Sequence, residues 1–90
     1  MNAAERVEAI RAQLQRALAP AALEITDESH LHAGHAGARS GRGHFRVRIV
    51  SAHFAGQTPV QRHRAVYAAL GDLMQTDIHA LAIAASTPDE

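Results

Sequence analysis

The sequence predicts a small α+β domain with a mixed three-stranded sheet and both helices packed on one face. Two segments carry apolar residues at helical spacing, and three shorter segments are predicted to be strands, the first two of which alternate apolar and polar residues. Their order is helix, strand, strand, helix, strand. The second helix can serve as a right-handed crossover that makes the last two strands parallel. We expect residues 1–90 to form one domain, because a chain of 90 residues supports a single small core.

The first helix is predicted over residues 3–18, and Pro20 ends it. Its apolar positions share one face: Val7, Ile10, Leu14 and Leu18. Charged residues interrupt the apolar pattern of the N-terminal segment, so we expect it to be neither a signal peptide nor a membrane span. We therefore expect a cytoplasmic protein that does not enter a membrane.

The first two strands are predicted on either side of a long loop. Leu23 and Ile25 alternate with polar residues in a short strand, and residues 29–43 follow as a loop that contains glycine, serine and alanine. From His44 the spacing changes to a period of two. Phe45, Val47 and Ile49 then point to one side, whereas His44, Arg46 and Arg48 point to the other. The second strand is thus half-buried, with a basic outer face.

The second helix is predicted to begin at a capping box. Thr58 is the cap, Pro59 occupies the first helical position and Gln61 lies three residues beyond the cap. The helix is expected to continue to about residue 76, with one apolar stripe: Val66, Tyr67, Leu70, Leu73 and Met74. Residues 78–83 form the third strand.

Composition narrows the chemistry of the chain. Nine acidic residues balance nine basic ones, so the net charge is zero and no strong overall field favours nucleic acid. The chain has no cysteine, which excludes disulfides and nucleophilic thiols, but it has seven histidines. Three of these, His30, His32 and His35, lie within the segment DESHLHAGHAG at residues 27–37.

These histidines suggest a metal site that is incomplete in this chain. A catalytic zinc site built from His30, His32 and His35 is disfavoured, because ligands on a glycine-rich loop are poorly preorganised. His79 opens the third strand at the edge where the long loop ends, so His32 and His79 are expected to converge. Two histidines can replace two cysteines as ligands of an iron–sulfur cluster. The thiolates would then come from another molecule.

The remaining histidines and hydroxyls have simpler interpretations. His63 is expected to be a hydrogen-bonded core residue, and His44 and His53 need no function. A catalytic triad from Asp27, Ser29 and a nearby histidine is disfavoured, because neighbours on one loop do not form a preorganised site. We expect no enzyme activity.

Longer motifs resemble the BolA family. These are HAGHAG and HFRVRIVS, then an F-x-G motif, QRHRAVYAAL, IHALAI and a final TP, in the expected order. The resemblance covers nearly the whole chain, from about residue 7 to residue 88. The resemblance implies a class II KH-like fold of order α-β-β-α-(α)-β, with one extra short helical turn near residues 52–56.

The resemblance also implies a function. Proteins of that family bind a monothiol glutaredoxin and share a [2Fe–2S] cluster with it, completed by a glutaredoxin cysteine and a glutathione thiol. The family's C-terminal histidine matches His79, and its variable loop ligand falls on His32, with His30 or His35 as alternatives. Such a chain is expected to be a monomer without its own cofactor, acting in iron homeostasis or stress responses.

Bacterial members are further linked to transcription, some by binding DNA. Four arginines are candidates for phosphate contacts: Arg46, Arg48, Arg62 and Arg64. With zero net charge, any DNA binding is expected to be weak and sensitive to salt. Gly34 to Gly37 has the spelling of the GxxG loop of RNA-binding KH domains, but it lies between two strands, where that loop does not occur.

Overall fold

The structure is a computed structural model that describes residues 1–32 and 42–90, with the backbone alone at residues 31 and 32. Its elements follow the predicted order. Helix α1 (Ala3–Leu18), strand β1 (Ala22–Asp27) and a 3₁₀ turn (Ser29–His32) precede strand β2 (Gly43–Val50). A second 3₁₀ turn (Ala52–Phe54), helix α2 (Pro59–Leu70), the short helix α3 (Leu73–Thr76) and strand β3 (Ile78–Ser86) complete it.

The predicted mixed sheet is confirmed. β2 is its central strand, paired antiparallel to β1 and parallel to β3. One face of the sheet carries Phe45, Val47 and Ile49, all almost fully buried. Residues of both long helices join the same core: Ile10, Leu14 and Leu18 from α1, and Val66 and Leu70 from α2. Both helices therefore cover one face, as predicted.

Local signals position the helix starts. Thr58 and Gln61 form the predicted capping box, and Asn2 with Glu5 forms another at the start of α1. The extra helical turn near residues 52–56 is confirmed at Ala52–Phe54. Among the described residues, none of the helices has the length and apolar character required to cross a membrane.

The prediction of one helix up to residue 76 is wrong. α2 ends at Leu70 because Gly71 adopts a positive φ of 54°, and a separate four-residue helix follows. The predicted apolar stripe is also wrong at Tyr67, which is 41% exposed. His63 is half-buried, which corrects the predicted core position.

Arg62 of α2 binds the C-terminal segment, residues 87–90. Its guanidinium binds both carboxylate oxygens of Glu90, donates to the carbonyl oxygen of Ala85 and donates to that of Gln57. The N–H of Thr87 also donates to the Glu90 carboxylate. These bonds hold residues 87–90 against the start of α2.

Gly43 is expected to tolerate no side chain. A Cβ at this position would lie 2.6 Å from the ring of Phe45 and 2.9 Å from the hydroxyl of Ser29. Because Phe45 is a buried core residue, it cannot move aside cheaply. Gly43→Ala should lower the free energy of unfolding by about 1–3 kcal/mol in a urea titration. The exposed Ala84→Ser should change it by less than about 0.5 kcal/mol, and equal effects of the two substitutions would contradict this packing.

The Arg62–Glu90 contact should be visible in the titration of its carboxyl group. Hydrogen bonds from Arg62 and from the Thr87 N–H lower the pKa of Glu90 from 4.5 to about 2. Because the folded pKa is depressed, the contact stabilises the fold above about pH 4.5 and is lost as the pH falls toward 2. An NMR titration should give a pKa of about 2 for Glu90. Arg62→Gln should raise that value, and an ordinary pKa in the wild type would contradict the contact.

Candidate functional site

The site begins with a break in the register between β2 and β3. Gly43 pairs with Ile78 and His44 pairs with Ala80, so His79 is an extra residue without a partner on β2. This is a β-bulge, which re-aims side chains locally. Ile78 is buried, 1% exposed, whereas His79 is exposed. The bulge therefore allows Ile78 to pack in the core while the next residue, His79, is exposed.

His44 is the described histidine that lies beside His79. The two ring centroids are 5.2 Å apart and the rings are tilted by 48°. His44 is on the outer strand face, as predicted, but it is buried at 7% exposure, which corrects the expectation of an ordinary polar surface residue. The His44 backbone is bound on both sides: its N–H donates to the Ser29 hydroxyl, and its carbonyl oxygen accepts a hydrogen bond from the Glu28 N–H.

The loop histidines are only partly described. His30 is exposed, and the backbone of His32 ends the 3₁₀ turn that adjoins β2. The side chain of His32 lies outside the described atoms, and His35 and the Gly34–Gly37 motif lie outside the described residues. The convergence of His32 on His79 thus stays a prediction.

The polar residues near this turn have structural roles. The Asp27 carboxylate accepts a hydrogen bond from the Ser29 N–H at 2.8 Å. The Ser29 hydroxyl accepts one from the backbone of His44 at 3.1 Å. Within residues 1–30 and 42–90, no group of three or more histidine, aspartate or glutamate side chains could hold a metal ion.

Two contacts to Asp77 hold the turn that precedes His79. The Nε of Arg6 on α1 lies 3.2 Å from the Asp77 carboxylate, and the N–H of Gly43 donates to the Asp77 carbonyl oxygen. The pKa of Asp77 lies below its ordinary value, mainly because the Thr76 hydroxyl donates to its carboxylate and further because of Arg6. His79 therefore projects from a well-anchored strand end.

Arg42 contacts His79 directly. Its Nη2 lies 3.2 Å from Nδ1 of His79, and its Nη1 donates to the carbonyl oxygen of Gln75 at 3.2 Å. The sequence did not suggest this contact, because the two residues are 37 positions apart and Arg42 was interpreted as part of the loop.

An open groove runs along the outer sheet face beside this site. Its lining includes His44 and Arg46 of β2, Ala80 and Ala82 of β3, and Glu28. The small alanine side chains leave the sheet accessible here.

The four candidate arginines do not form one stripe. Arg46 and Arg48 lie on the outer sheet face, with 60% and 69% of their side chains exposed, and they pair with Glu28 and Glu24 respectively. Arg62 and Arg64 belong to α2, on the opposite side of the sheet. Arg64 is exposed, but only 12% of the Arg62 side chain is, because it binds Glu90.

Comparison with known proteins supports the resemblance. The family model for BolA-like protein matches residues 14–90. BolA-like protein 1 of Mus musculus is 51% identical over 80 residues, which cover 89% of this chain and 56% of that protein. The DNA-binding transcriptional regulator BolA of Escherichia coli is 41% identical over 76 residues, covering 84% of this chain and 70% of that one.

A plant relative agrees in sequence and structure. SufE-like protein 1 of Arabidopsis thaliana, chloroplastic/mitochondrial, is 45% identical over 86 residues, which are 90% of this chain but only 23% of that protein. The solved BolA domain of SufE1 matches with a TM-score of 0.83 and 40% identity, covering 99% of this chain and 98% of the domain.

The match thus covers most of this chain, and it includes the strand end that carries His79. This chain spans only about half of the mouse relative and a quarter of the plant one. A cytoplasmic location stays a prediction, because the plant relative is named chloroplastic/mitochondrial. Sequence, fold and strand topology agree, and the chain belongs to the BolA-like protein family.

Proposed function

We propose that this chain is a non-enzymatic adaptor that binds a monothiol glutaredoxin and shares a [2Fe–2S] cluster with it. The observation that carries the proposal is the placement of His79. The bulge exposes this imidazole at an anchored strand end, and the 3₁₀ turn that contains His32 adjoins the neighbouring strand. In the proposed complex His79 and His32 are the ligands that this chain contributes.

The donor chemistry of the chain fits half of such a cluster. Cluster irons take thiolate ligands, two of which histidines can replace. The sequence has seven histidines and no cysteine, so the thiolates must come from the glutaredoxin and from glutathione. The cluster would be held between the chains and would supply the redox-active and exchangeable iron.

The surroundings of His79 suit a docking partner. The outer face of the sheet beside His79 is open, and the small side chains of Ala80 and Ala82 let another chain approach closely. His44 shields one side of His79, so a partner would approach from the other side. We propose that this role belongs to iron–sulfur or iron homeostasis or to a stress response.

The cluster proposal can be tested by titrating the protein into a reconstituted glutaredoxin–glutathione [2Fe–2S] dimer and recording visible circular dichroism. We expect a new spectrum that saturates at one chain per glutaredoxin. His79→Ala should speed cluster loss by at least about tenfold, because even residues behind metal ligands often contribute that much. His32→Ala should have a smaller effect, because ordering a loop ligand costs entropy.

His53→Ala is the matched control. His53 is exposed and lies in the turn after the last residue of β2, whereas His79 lies beside the first residues of that strand. The cluster in the complex of His53→Ala should be as stable as the cluster in the wild-type complex. Equal stability in wild type and His79→Ala, with both folded, would reject His79 as a ligand.

The alternative function is binding of nucleic acid, favoured by one observation. Arg46 and Arg48 are exposed side by side on the open sheet face, and the Escherichia coli relative is named a DNA-binding transcriptional regulator. Arg64 would add a separate contact, whereas Arg62 is already bound to Glu90. The nearby Glu24 and Glu28 weaken the attraction of phosphate.

Salt dependence distinguishes this alternative. If Arg46 and Arg48 contact phosphates, the double substitution with alanine should reduce the slope of log K against log salt by about 2 in fluorescence anisotropy with a labelled DNA duplex. Arg16→Ala, an exposed cation of α1, should leave the slope unchanged. An unchanged slope in the double variant would exclude this face as a DNA-binding surface.

A further inference from the structure

The contact between Arg42 and His79 constrains the imidazole. A guanidinium has five N–H donors, has no acceptor and stays protonated, so in the 3.2 Å contact Arg42 is the donor. Nδ1 of His79 must then be the acceptor, with its lone pair directed at Arg42. In the neutral ring, the proton consequently resides on Nε2.

This arrangement opposes metal binding through either ring nitrogen. A metal ion at Nδ1 would need the same lone pair that Arg42 occupies. A metal ion at Nε2 would require the proton to move to Nδ1, and the Nδ1–H would then face the N–H donors of Arg42. Both modes require Nη2 of Arg42 to move away from the ring.

We infer that Arg42 is a positioning residue whose hydrogen bond from Nη2 to Nδ1 of His79, the Arg42 latch, sets the affinity of this imidazole for a metal ion. The inference rests on the proposed function, in which His79 is a ligand, and it adds a way in which the availability of that ligand is regulated. The bond from Nη1 to the Gln75 carbonyl does not involve His79. The guanidinium can therefore stay attached to the turn while Nη2 releases the ring. A partner that draws Nη2 of Arg42 away from the ring would make His79 available as it docks.

The latch can be tested on the isolated protein with Zn²⁺ as the probe. Imidazole resonances in long-range ¹H–¹⁵N NMR spectra report each histidine separately, and the Zn²⁺ concentration that half-shifts His79 is measured. Arg42→Ala should lower that concentration about five- to tenfold, because a charge-assisted hydrogen bond no longer competes. Arg16→Ala removes the same charge elsewhere and should leave it unchanged.

A second variant separates the latch from a general charge effect. Glutamine at position 42 offers a carbonyl oxygen to Nδ1–H, the arrangement that supports a metal-binding histidine. Arg42→Gln should therefore move the proton of metal-free His79 from Nε2 to Nδ1, visible in the ¹⁵N shifts. The gain in Zn²⁺ affinity should also persist at about 0.5 M salt, where interactions between exposed charges are largely screened.

The possible outcomes separate this inference from the proposed function. An equal half-shift concentration in wild type and Arg42→Ala overturns the latch, even if His79 binds Zn²⁺ in both. Absence of any Zn²⁺ response at His79 in all variants overturns it as well. The cluster titration with His79→Ala decides the proposed function separately, because it compares variants that all retain Arg42.

Discussion

The bulge at His79 in the parallel pairing of β2 and β3 is the constraint on which the site depends. Further along β3, Leu81 and Ile83 pair with core residues of β2 and lie on the buried face. A regular strand would place His79 on that face too, because alternate residues share a side. The extra residue lets Ile78 fill the core while the imidazole reaches solvent beside His44.

Contacts from separate parts of the chain hold this bulge in place. Arg6 of α1 binds Asp77, the backbone of Gly43 binds the same residue, and Arg42 binds Gln75. The start of β2 is in turn covered by the 3₁₀ turn through Ser29. Helix α1, the first 3₁₀ turn and β2 thus converge on one strand end. If His79 is a ligand, as proposed, this anchoring leaves little ordering to occur when a partner binds.

The features that the sequence predicted are those that depend on residues close together in the chain. The capping box at Thr58 and Gln61 and the period-two pattern from Phe45 to Ile49 are local signals, and both are found in the structure. The family motifs added the class II KH-like order. His79 could be singled out because it precedes an apolar strand directly after a helix.

The features that the sequence did not predict arise from contacts between distant segments. IHALAI predicts a strand, and its register against β2 in the structure reveals the bulge. The backbone of His44 is bound by Ser29, fifteen residues earlier in the chain. Arg62, a candidate for phosphate binding, is occupied by Glu90, 28 residues away. The positive φ of Gly71 that ends α2 is not visible in the apolar stripe, which continues through it.

The most direct test of the account is the nitrogen hyperfine spectrum of the reduced cluster in the glutaredoxin complex, recorded by pulsed EPR. If His79 is a ligand, the wild-type complex should show strong coupling to an imidazole nitrogen. That coupling should be lost or altered in His79→Ala and retained in His53→Ala. A wild-type spectrum without imidazole coupling would show that the cluster is held by thiolates alone, and the exposed imidazole would then have another purpose.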